Sequence, residues 1–454
     1  MQNSNSNNTS KKKLPKGKLI FVFILLALVI GAATYFYPEK NIIEPQVAAD
    51  TTENENAKYL SFLNEIYDNI QDKYWNKMDD QALTNLYKLG AEKIAGTPQA
   101  MPSNDKSGMN SMVENIFQGK SDKEKKQFSV DLATIVLANL EPFGRGGLFT
   151  EEKEEELKNT VQNIDPDTDL FAVLDVDKDA DQDEIKINFE QKSNELNDIL
   201  SDSSKSDEEK AEAGSKLALV DRAFNTLSNE VDKEVYTDTG IESVVDSKII
   251  NPNTFYVHIK KISPTSFEEF QRAVNSVDDQ GESLNALILD LRGNVGGSVD
   301  LMQWFLGPFI GPGNLAYEFY HQDEYEPFKT QVGWLPSMIR YKKVVVLTDS
   351  AMQSSSEVMA STLKKYNVGI LVGTKTKGWG TIEKVFPLEN QIDDKVKYSM
   401  FLVHSLTLRE DNQPIEGRGV DPHIDINSDN WDDQLLDYFN YPALVKAVKE
   451  VWPK

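Results

Sequence analysis

The chain contains no cysteine and only four histidines among its 454 residues. Without cysteine there is no thiol nucleophile, no thiolate metal site and no disulfide framework. The His-Glu-x-x-His pair that holds zinc in many hydrolases does not occur either. The sequence therefore predicts neither a metal site nor a bound cofactor.

Charged residues are missing from one long stretch, residues 19–37, "LIFVFILLALVIGAATYFY". A helix of this length nearly crosses a hydrocarbon core of about 30 Å, which predicts a single transmembrane anchor. Lysines but no acidic residues precede it, so the positive-inside rule makes residues 1–18 a cytoplasmic basic tail and places the bulk of the chain outside the membrane. The small residues "GAA" within this stretch leave a cleaved signal peptide as the alternative. A polar linker over residues 38–57 follows.

Basic residues are in the minority after the anchor. Once the five N-terminal lysines are set aside, 43 lysines and arginines remain against 73 acidic residues. Such an acidic surface repels nucleic acids and anionic lipid headgroups. We therefore expect no nucleic acid partner, and membrane contact only through the N-terminal helix.

Residues 58–164 have the spacing of helices. In "KYLSFLNEIYDNIQDKYW" apolar side chains recur every three or four positions, as in an amphipathic helix: Leu60, Leu63, Ile66, Ile70 and Tyr74. Similar patterns follow in "DDQALTNLYKLGAEKIAG" and "SDKEKKQFSVDLATIVLANL", and a loop rich in Pro, Gly, Ser and Asn separates them. An all-α domain is predicted for this part of the chain.

Residues 165–240 open with "DLFAVLDV", begin a helix with "DEIK" and close with "AFNTLSNEVDKEVY". In these segments they resemble a J domain. The matching positions are Asp169, Phe171, Leu174, Val176, Glu184, Ile185, Phe224, Leu227, Ser228, Lys233 and Tyr236. The His-Pro-Asp triplet that a J domain uses on its chaperone partner is absent, because Asn197, Asp198 and Ile199 stand near its place. The resemblance thus implies a helical unit that spaces other parts or binds a protein partner, and not a co-chaperone.

From residue 241 to 454 strand-like and helix-like patterns alternate. The apolar runs "TFYVHI", "NALILDL", "KKVVVLT" and "VGILVGT" are typical of buried strands, and amphipathic patterns such as "SFEEFQRAVNSVDD" and "SSSEVMASTLKKY" lie between them. This order predicts an α/β core, a mixed sheet with flanking helices and right-handed crossovers.

Two of these strands end in unusual loops. "LDLRGNVGG" places Gly296 and Gly297 after one strand, where backbone without Cβ atoms can approach another group closely. Three serines, 354–356, follow the next strand at the start of a helix, where unpaired N–H groups and the helix dipole stabilise a developing oxyanion. Together the two loops indicate nucleophilic catalysis. A serine at the start of a helix, taken by itself, is also explained by a structural role as the helix N-cap.

The motifs of this α/β part resemble those of the tail-specific, or C-terminal processing, serine proteases. They are "LILDLRGNVGG", "VVVLTDSAMQSSSEVMASTL", "VGTKTKGWGTIE" and "LREDNQPIEGRGVDPHIDI", in that order. The resemblance implies a crotonase-like core, Ser354 as the nucleophile, and an oxyanion hole made by Gly296 or Gly297 with the N–H of Ser355. The J-like unit stands where this family carries a PDZ domain.

The same resemblance leaves the general base in question. The family's dyad lysine falls on Trp379, and its supporting glutamine falls on Glu383. An indole offers only an N–H donor and cannot accept the serine proton. Lys377 is a candidate substitute, since it stands two residues away on the same face of an extended segment and Lys375 is a neighbouring cation. The alternative, which is equally open, is that Lys377 is a solvent-exposed lysine without a catalytic role. Weaker alternatives for the base are Glu383, His258 and His404.

Three functions remain open on the sequence alone. The first is a membrane-anchored, exported serine endopeptidase that acts on extended or C-terminal polypeptide segments. The second is a catalytically inactive relative that binds peptides or serves as a scaffold. The third is another hydrolase or binding activity on the same scaffold, because fold alone does not determine function.

Overall fold

The computed structural model describes residues 56–278 and 283–452. The predicted cytoplasmic tail, the anchor over residues 19–37 and nearly all of the linker lie outside these residues. Within the described ranges no helix is both long and apolar enough to cross a membrane.

Fifteen α-helices lie in the described ranges, and five of them belong to the segment before residue 165. Their bounds are α1 (Ala57–Lys73), α2 (Asp80–Ala95), α3 (Lys106–Phe117), α4 (Asp122–Ala138), α5 (Glu151–Gln162) and, just beyond, α6 (Leu170–Leu174). The apolar stripe predicted for α1 is buried at Leu63, Ile66 and Ile70. A capping box at Ser121 and Glu124 begins α4 by satisfying N–H groups that the helix leaves free.

The prediction of a purely helical domain over residues 58–164 was incomplete, because Gly147–Thr150 is a strand, β1. β1 pairs with a strand that follows about 250 residues later, Tyr398–Thr407. The helical part therefore shares a hydrophobic core with that strand, in which Met400 and Leu402 pack against α1–α4.

The J-like unit consists of four helices with a small core of their own. After α6 come α7 (Gln182–Ser201), α8 (Asp207–Leu227) and α9 (Glu230–Thr239), and their core is centred on Leu170, Leu174, Ile185, Ala223 and Leu227. Residues 197–199 lie inside α7, whereas the turn between α7 and α8 covers residues 202–206. The resemblance to a J domain stays a prediction.

The remaining helices and strands belong to the α/β part. The helices are α10 (Ser266–Asn275), α11 (Met302–Phe305), α12 (Gly307–Ile310), α13 (Ser355–Lys365), α14 (Trp431–Phe439) and α15 (Pro442–Val451). The strands are β2 (Val245–Asn251), β3 (Thr254–Ile259), β4 (Ala286–Asp290), β5 (Leu315–His321), β6 (Glu324–Lys329), β7 (Lys343–Thr348), β8 (Ile370–Gly373), β9 (Thr381–Pro387), β10 (Tyr398–Thr407) and β11 (Ile424–Asp425).

Six strands form a sheet in the order β11-β8-β7-β4-β3-β2. All neighbours in it are parallel except β2, which pairs antiparallel with β3. One face of this sheet packs on α10 and α13, and the other face packs on α14 and α15. The four strands predicted from apolar runs are β3, β4, β7 and β8, so the mixed α/β fold is confirmed.

A second, antiparallel sheet was not predicted. It has the order β1-β10-β5-β6, with β9 on the other edge of β10. β9 follows directly on the loop that contains Trp379. β4 and β7 are neighbours in the first sheet, with Asp290 opposite Leu347, so their two loops leave the sheet at the same edge. The predicted site lies where these loops meet the start of β9.

Candidate active site

Ser354 stands on a strained turn between β7 and α13. Its backbone has φ 62° and ψ −132°. Residues other than glycine rarely adopt this conformation, which costs about 1–3 kcal/mol. The turn is held because the Ser354 N–H donates to Glu357 Oε2 at 2.9 Å and to the Trp379 carbonyl at 3.1 Å. No side chain of the described residues hydrogen bonds to Ser354 Oγ. A partly exposed serine on a sharp strand-to-helix turn has the form of a nucleophile elbow.

The glycine loop after β4 lies directly against this turn. A Cβ atom added at Gly296, where φ is +84°, would come within 2.8 Å of Ser354 Cβ. Asn294, which is fully buried, fixes the loop because its amide donates to the Ile259 carbonyl at 2.7 Å and its own carbonyl accepts from Gln353 N at 3.0 Å. The structure thus brings together the two loops that the sequence singled out.

The N–H groups of this region differ in their availability. Gly296 N donates to Asn294 Oδ1 at 2.8 Å and is therefore occupied. Gly297 N and Ser355 N donate to no acceptor in the described part of the chain. Of the two glycines proposed for an oxyanion hole, Gly297 has the free N–H, and it can act with the first N–H of α13. Gly297 also tolerates no side chain, since an added Cβ would lie 1.9 Å from the Ile262 carbonyl oxygen.

Glu357 is a fully buried carboxylate that joins the serine turn to the loop before β9. Its Oε2 accepts from Ser354 N and, at 2.8 Å, from Trp379 N. Its Oε1 accepts from Gly378 N at 2.8 Å and from the hydroxyl of Thr376. Four donors on one carboxylate give it the full set of hydrogen bonds that a buried charge requires.

Trp379 occupies the place where the family resemblance expects a lysine. Its indole N–H donates to Glu383 Oε1 at 3.2 Å. Residues 379 and 383 are thus hydrogen bonded to each other, although neither is the residue type that the family pattern has there. The Arg145 guanidinium lies on the indole, 3.5 Å from the ring centroid, in a cation–π contact. Burial raises the pKa of Glu383 above its ordinary value. Within the described residues, no proton acceptor is hydrogen bonded to Ser354 Oγ from this side.

Arg145 is the residue of the site that sequence reasoning missed. It lies in the loop before β1 and donates to Thr381 Oγ1 at 2.7 Å and to Glu416 Oε1 at 2.9 Å. Glu416 in turn accepts from Gly380 N at 2.8 Å, and burial raises its pKa. Arg145 and Thr381 are 236 positions apart. The only local signal was an arginine among glycines, "FGRGG", which carries no information on its partner.

Lys377 does not contact Ser354. Its Nζ donates to Gln353 Oε1 at 2.6 Å and stands 5.0 Å from the centroid of the Trp379 ring, on an exposed side chain. Lys375 forms an ion pair with Asp421 at 3.3 Å. Lys377 as general base therefore stays a prediction that needs its side chain to leave Gln353.

The two histidines that were considered as bases have other partners. His258 Nε2 lies 3.3 Å from the Arg292 carbonyl oxygen. His404 stacks on His321 with ring centroids 4.4 Å apart, and burial lowers its pKa to about 3. Within residues 56–278 and 283–452 no group of His, Asp and Glu side chains has the arrangement of a metal site.

Comparison with known proteins matches residues 253–426 to the model "Peptidase family S41". The chain is 26% identical over 431 residues to the carboxy-terminal processing protease CtpA of Bacillus subtilis. The matched stretch covers 94% of this chain and 79% of that protein. It is 26% identical over 219 residues to a probable CtpA-like serine protease of Staphylococcus epidermidis, covering 48% of this chain and 42% of the relative. Among solved structures, a photosystem II D1 C-terminal processing protease is 20% identical, covers 41% of this chain and 49% of that one, and has a TM-score of 0.36.

The matched residues contain both loops of the site, with Gly296, Gly297 and Ser354, and also Trp379. This sequence similarity supports a peptidase function of the serine hydrolase type for the matched part of the chain. Residues 253–426 of this chain thus match the model of peptidase family S41, and the chain is similar to carboxy-terminal processing proteases.

Proposed function

We propose that this chain binds extended segments of polypeptide beside Ser354 without hydrolysing them. The observation that carries the proposal is the indole of Trp379, which is fixed by Glu383 and Arg145 where a lysine base would stand. A serine hydroxyl is a weak nucleophile unless a base removes its proton. The free N–H groups of Gly297 and Ser355 remain able to bind a carbonyl oxygen of a polypeptide, which is the substrate class implied by the family.

Hydrolysis by Ser354 with Lys377 as its base is the second candidate. It is favoured by the position of the Lys377 ammonium, which is bonded to Gln353, the residue next to the nucleophile. A four-carbon side chain on an exposed segment can change rotamer when a substrate displaces Gln353. In that case the chain would be a serine endopeptidase acting on extended or C-terminal segments.

Two measurements separate the two candidates. A fluorophosphonate probe tests whether Ser354 reacts as a nucleophile, and casein, an unfolded polypeptide, tests whether the chain binds or cleaves its ligand. The full-length chain is expected to take up no more probe than Ser354→Ala, and to bind fluorescent casein by anisotropy while mass spectrometry finds the casein intact. Lys377→Ala is compared with Lys375→Ala, because both lysines are exposed and only the first stands near Ser354.

Labelling that disappears in Ser354→Ala and Lys377→Ala, but persists in Lys375→Ala, would establish the peptidase and overturn the binding function. A chain that neither reacts with the probe nor binds casein would contradict both candidates.

We further propose that the site works outside the cytoplasmic membrane, on a chain held by residues 19–37. Support comes from the uncharged run and the lysines before it. Fusing alkaline phosphatase after residue 454 is expected to give an active enzyme, because that enzyme folds only after export. An inactive, stably expressed fusion would contradict this location.

A further inference from the structure

A groove of about 440 Å³ lies between the J-like unit and the edge of the six-stranded sheet. Its helical wall is formed by Phe189 on α7 and by Phe224, Asp221 and Asn225 on α8. The opposite wall is formed by Asp246 on β2 and by Lys260, which directly follows β3. A volume of this size lies within the usual range for ligand pockets, about 300–1,000 Å³.

The two phenylalanines form an aromatic platform in this groove. Their rings are stacked with centroids 3.9 Å apart and planes at 14°. Both side chains are only partly buried, although they pack against the core of the J-like unit. Faces of aromatic rings attract cations, and the planar guanidinium of arginine stacks on them best.

Asp221 is the one carboxylate of the groove lining without an ion partner in the described structure. It forms no hydrogen bond and no ion pair within 4.0 Å, whereas Asp246 is paired with Lys260 at 2.6 Å. Arg222, which also lines the groove, is paired with Asp165 and Glu242. Desolvation raises the pKa of Asp221, while the charge of Lys260 lowers it and that of Asp246 raises it.

The groove is held open by contacts between α8 and the chain segment before β2. The Arg222 guanidinium binds the Glu242 carboxylate, which is nearly fully buried, and Ser243 N donates to Thr226 Oγ1 at 3.2 Å. These bonds fix the aromatic platform and Asp221 relative to the sheet. A ligand would therefore find the groove already formed, which reduces the entropy that binding costs.

We propose that this groove binds a polypeptide segment in which an arginine lies beside an apolar residue. The guanidinium would stack on the outer face of one ring of the Phe189–Phe224 pair and form an ion pair with Asp221, while the apolar residue would fill the rest of the groove. A polypeptide fits better than a small molecule, because β2 is the outermost strand of its sheet and an extended chain can pair with its edge beyond Val245, whose N–H donates to Glu269. The net negative charge of the protein also favours a ligand that carries a positive charge.

This site is separate from Ser354 and needs no serine chemistry, so it goes beyond the function proposed above. A labelled peptide of glycine and serine with a central Leu-Arg tests it, against the same peptide with Leu-citrulline. Citrulline keeps the shape of arginine and removes its charge. We expect the full-length chain to bind the Leu-Arg peptide with a Kd below 1 mM and about fivefold more tightly than the citrulline peptide.

Asp221→Asn is expected to abolish this preference for arginine over citrulline. Asp198→Asn, which removes an exposed carboxylate from α7 outside the groove lining, should leave the preference unchanged. Equal binding of both peptides by the parent, no binding up to 1 mM, or equal behaviour of the two variants would overturn the proposal. None of these outcomes depends on whether Ser354 reacts with a probe or the chain binds casein.

Discussion

Replacing Trp379 by lysine and Glu383 by glutamine in the same chain is expected to make Ser354 react with a fluorophosphonate probe at least about 100-fold faster than in the parent. A positioned general base contributes about 10²–10⁴-fold to reactions of this kind. The other parts of the machinery are present: the strained Ser354 turn, the glycine loop against it, and two free N–H groups. Under the binding function proposed above, the missing part is the proton acceptor.

Both substitutions are needed because of what surrounds the indole. Glu383 lies within hydrogen-bonding distance of the Trp379 side chain, and a carboxylate there would raise the pKa of an introduced ammonium and keep it protonated. Glutamine removes that charge and keeps a hydrogen-bond acceptor. The Arg145 guanidinium, 3.5 Å from the present ring, would lower the pKa of the introduced lysine and so help it to act as a base.

Three variants make the expected result specific. Trp379→Lys alone should react more slowly than the double variant, because Glu383 would hold the ammonium in its charged form. Trp379→Leu with Glu383→Gln empties the same space without a base and should not react above the parent. Adding Ser354→Ala to the double variant should abolish labelling. A double variant that melts like the parent and still does not react would mean that the Ser354 turn is not competent for catalysis.

Much of the α/β fold could be predicted because it depends on local pattern. β4 and β7 are continuous apolar runs, as strands buried on both faces must be, and they became neighbours in a parallel sheet. Their loops carry the glycines and serines of the site, and parallel strands bring such loops to one edge. The turn at Ser354 was recognisable for the same reason, since strand, serine and helix follow each other directly.

The second sheet and Arg145 could not be predicted, for a common physical reason. β10 does not alternate between buried and exposed residues, because it packs on α1–α4 and carries an irregularity between Val403 and Ser405. Its partner β1 is four residues long and lies about 250 residues earlier. The same strand pairing places Arg145, two residues before β1, over Trp379. A residue positioned by a long-range pairing has no signature in its own neighbourhood.

Replacing Glu357 by glutamine is expected to lower the free energy of unfolding by about 2–5 kcal/mol, although the two side chains have nearly the same shape. Both carboxylate oxygens accept hydrogen bonds from backbone N–H groups: Gly378 N on one, Ser354 N and Trp379 N on the other. A glutamine amide has only one oxygen, so its NH₂ group must face at least one of these donors in either orientation. Each buried N–H left without an acceptor costs about 1–3 kcal/mol.

Thermal unfolding checks this expectation, with a fall of about 2–6 °C in Tm for a chain of this size. Glu410→Gln is the matched control, because that carboxylate also contacts α13 but takes its bonds from two side chains, Ser361 Oγ at 3.0 Å and Lys364 Nζ at 2.8 Å. Those side chains can turn toward water, whereas backbone N–H groups cannot. A Glu357→Gln chain that melts within 1 °C of the parent, or no lower than the control, would contradict the role assigned to the buried carboxylate.

The same carboxylate links stability to chemistry. It holds the Ser354 N–H and the loop of Trp379 together, so its loss should let the strained serine turn relax toward an ordinary backbone conformation. Glu357→Gln is therefore expected to remove most of the labelling that Trp379→Lys with Glu383→Gln creates, even at a temperature where the chain remains folded. If labelling survived unchanged, the strain at Ser354 would have to be maintained by the glycine loop alone.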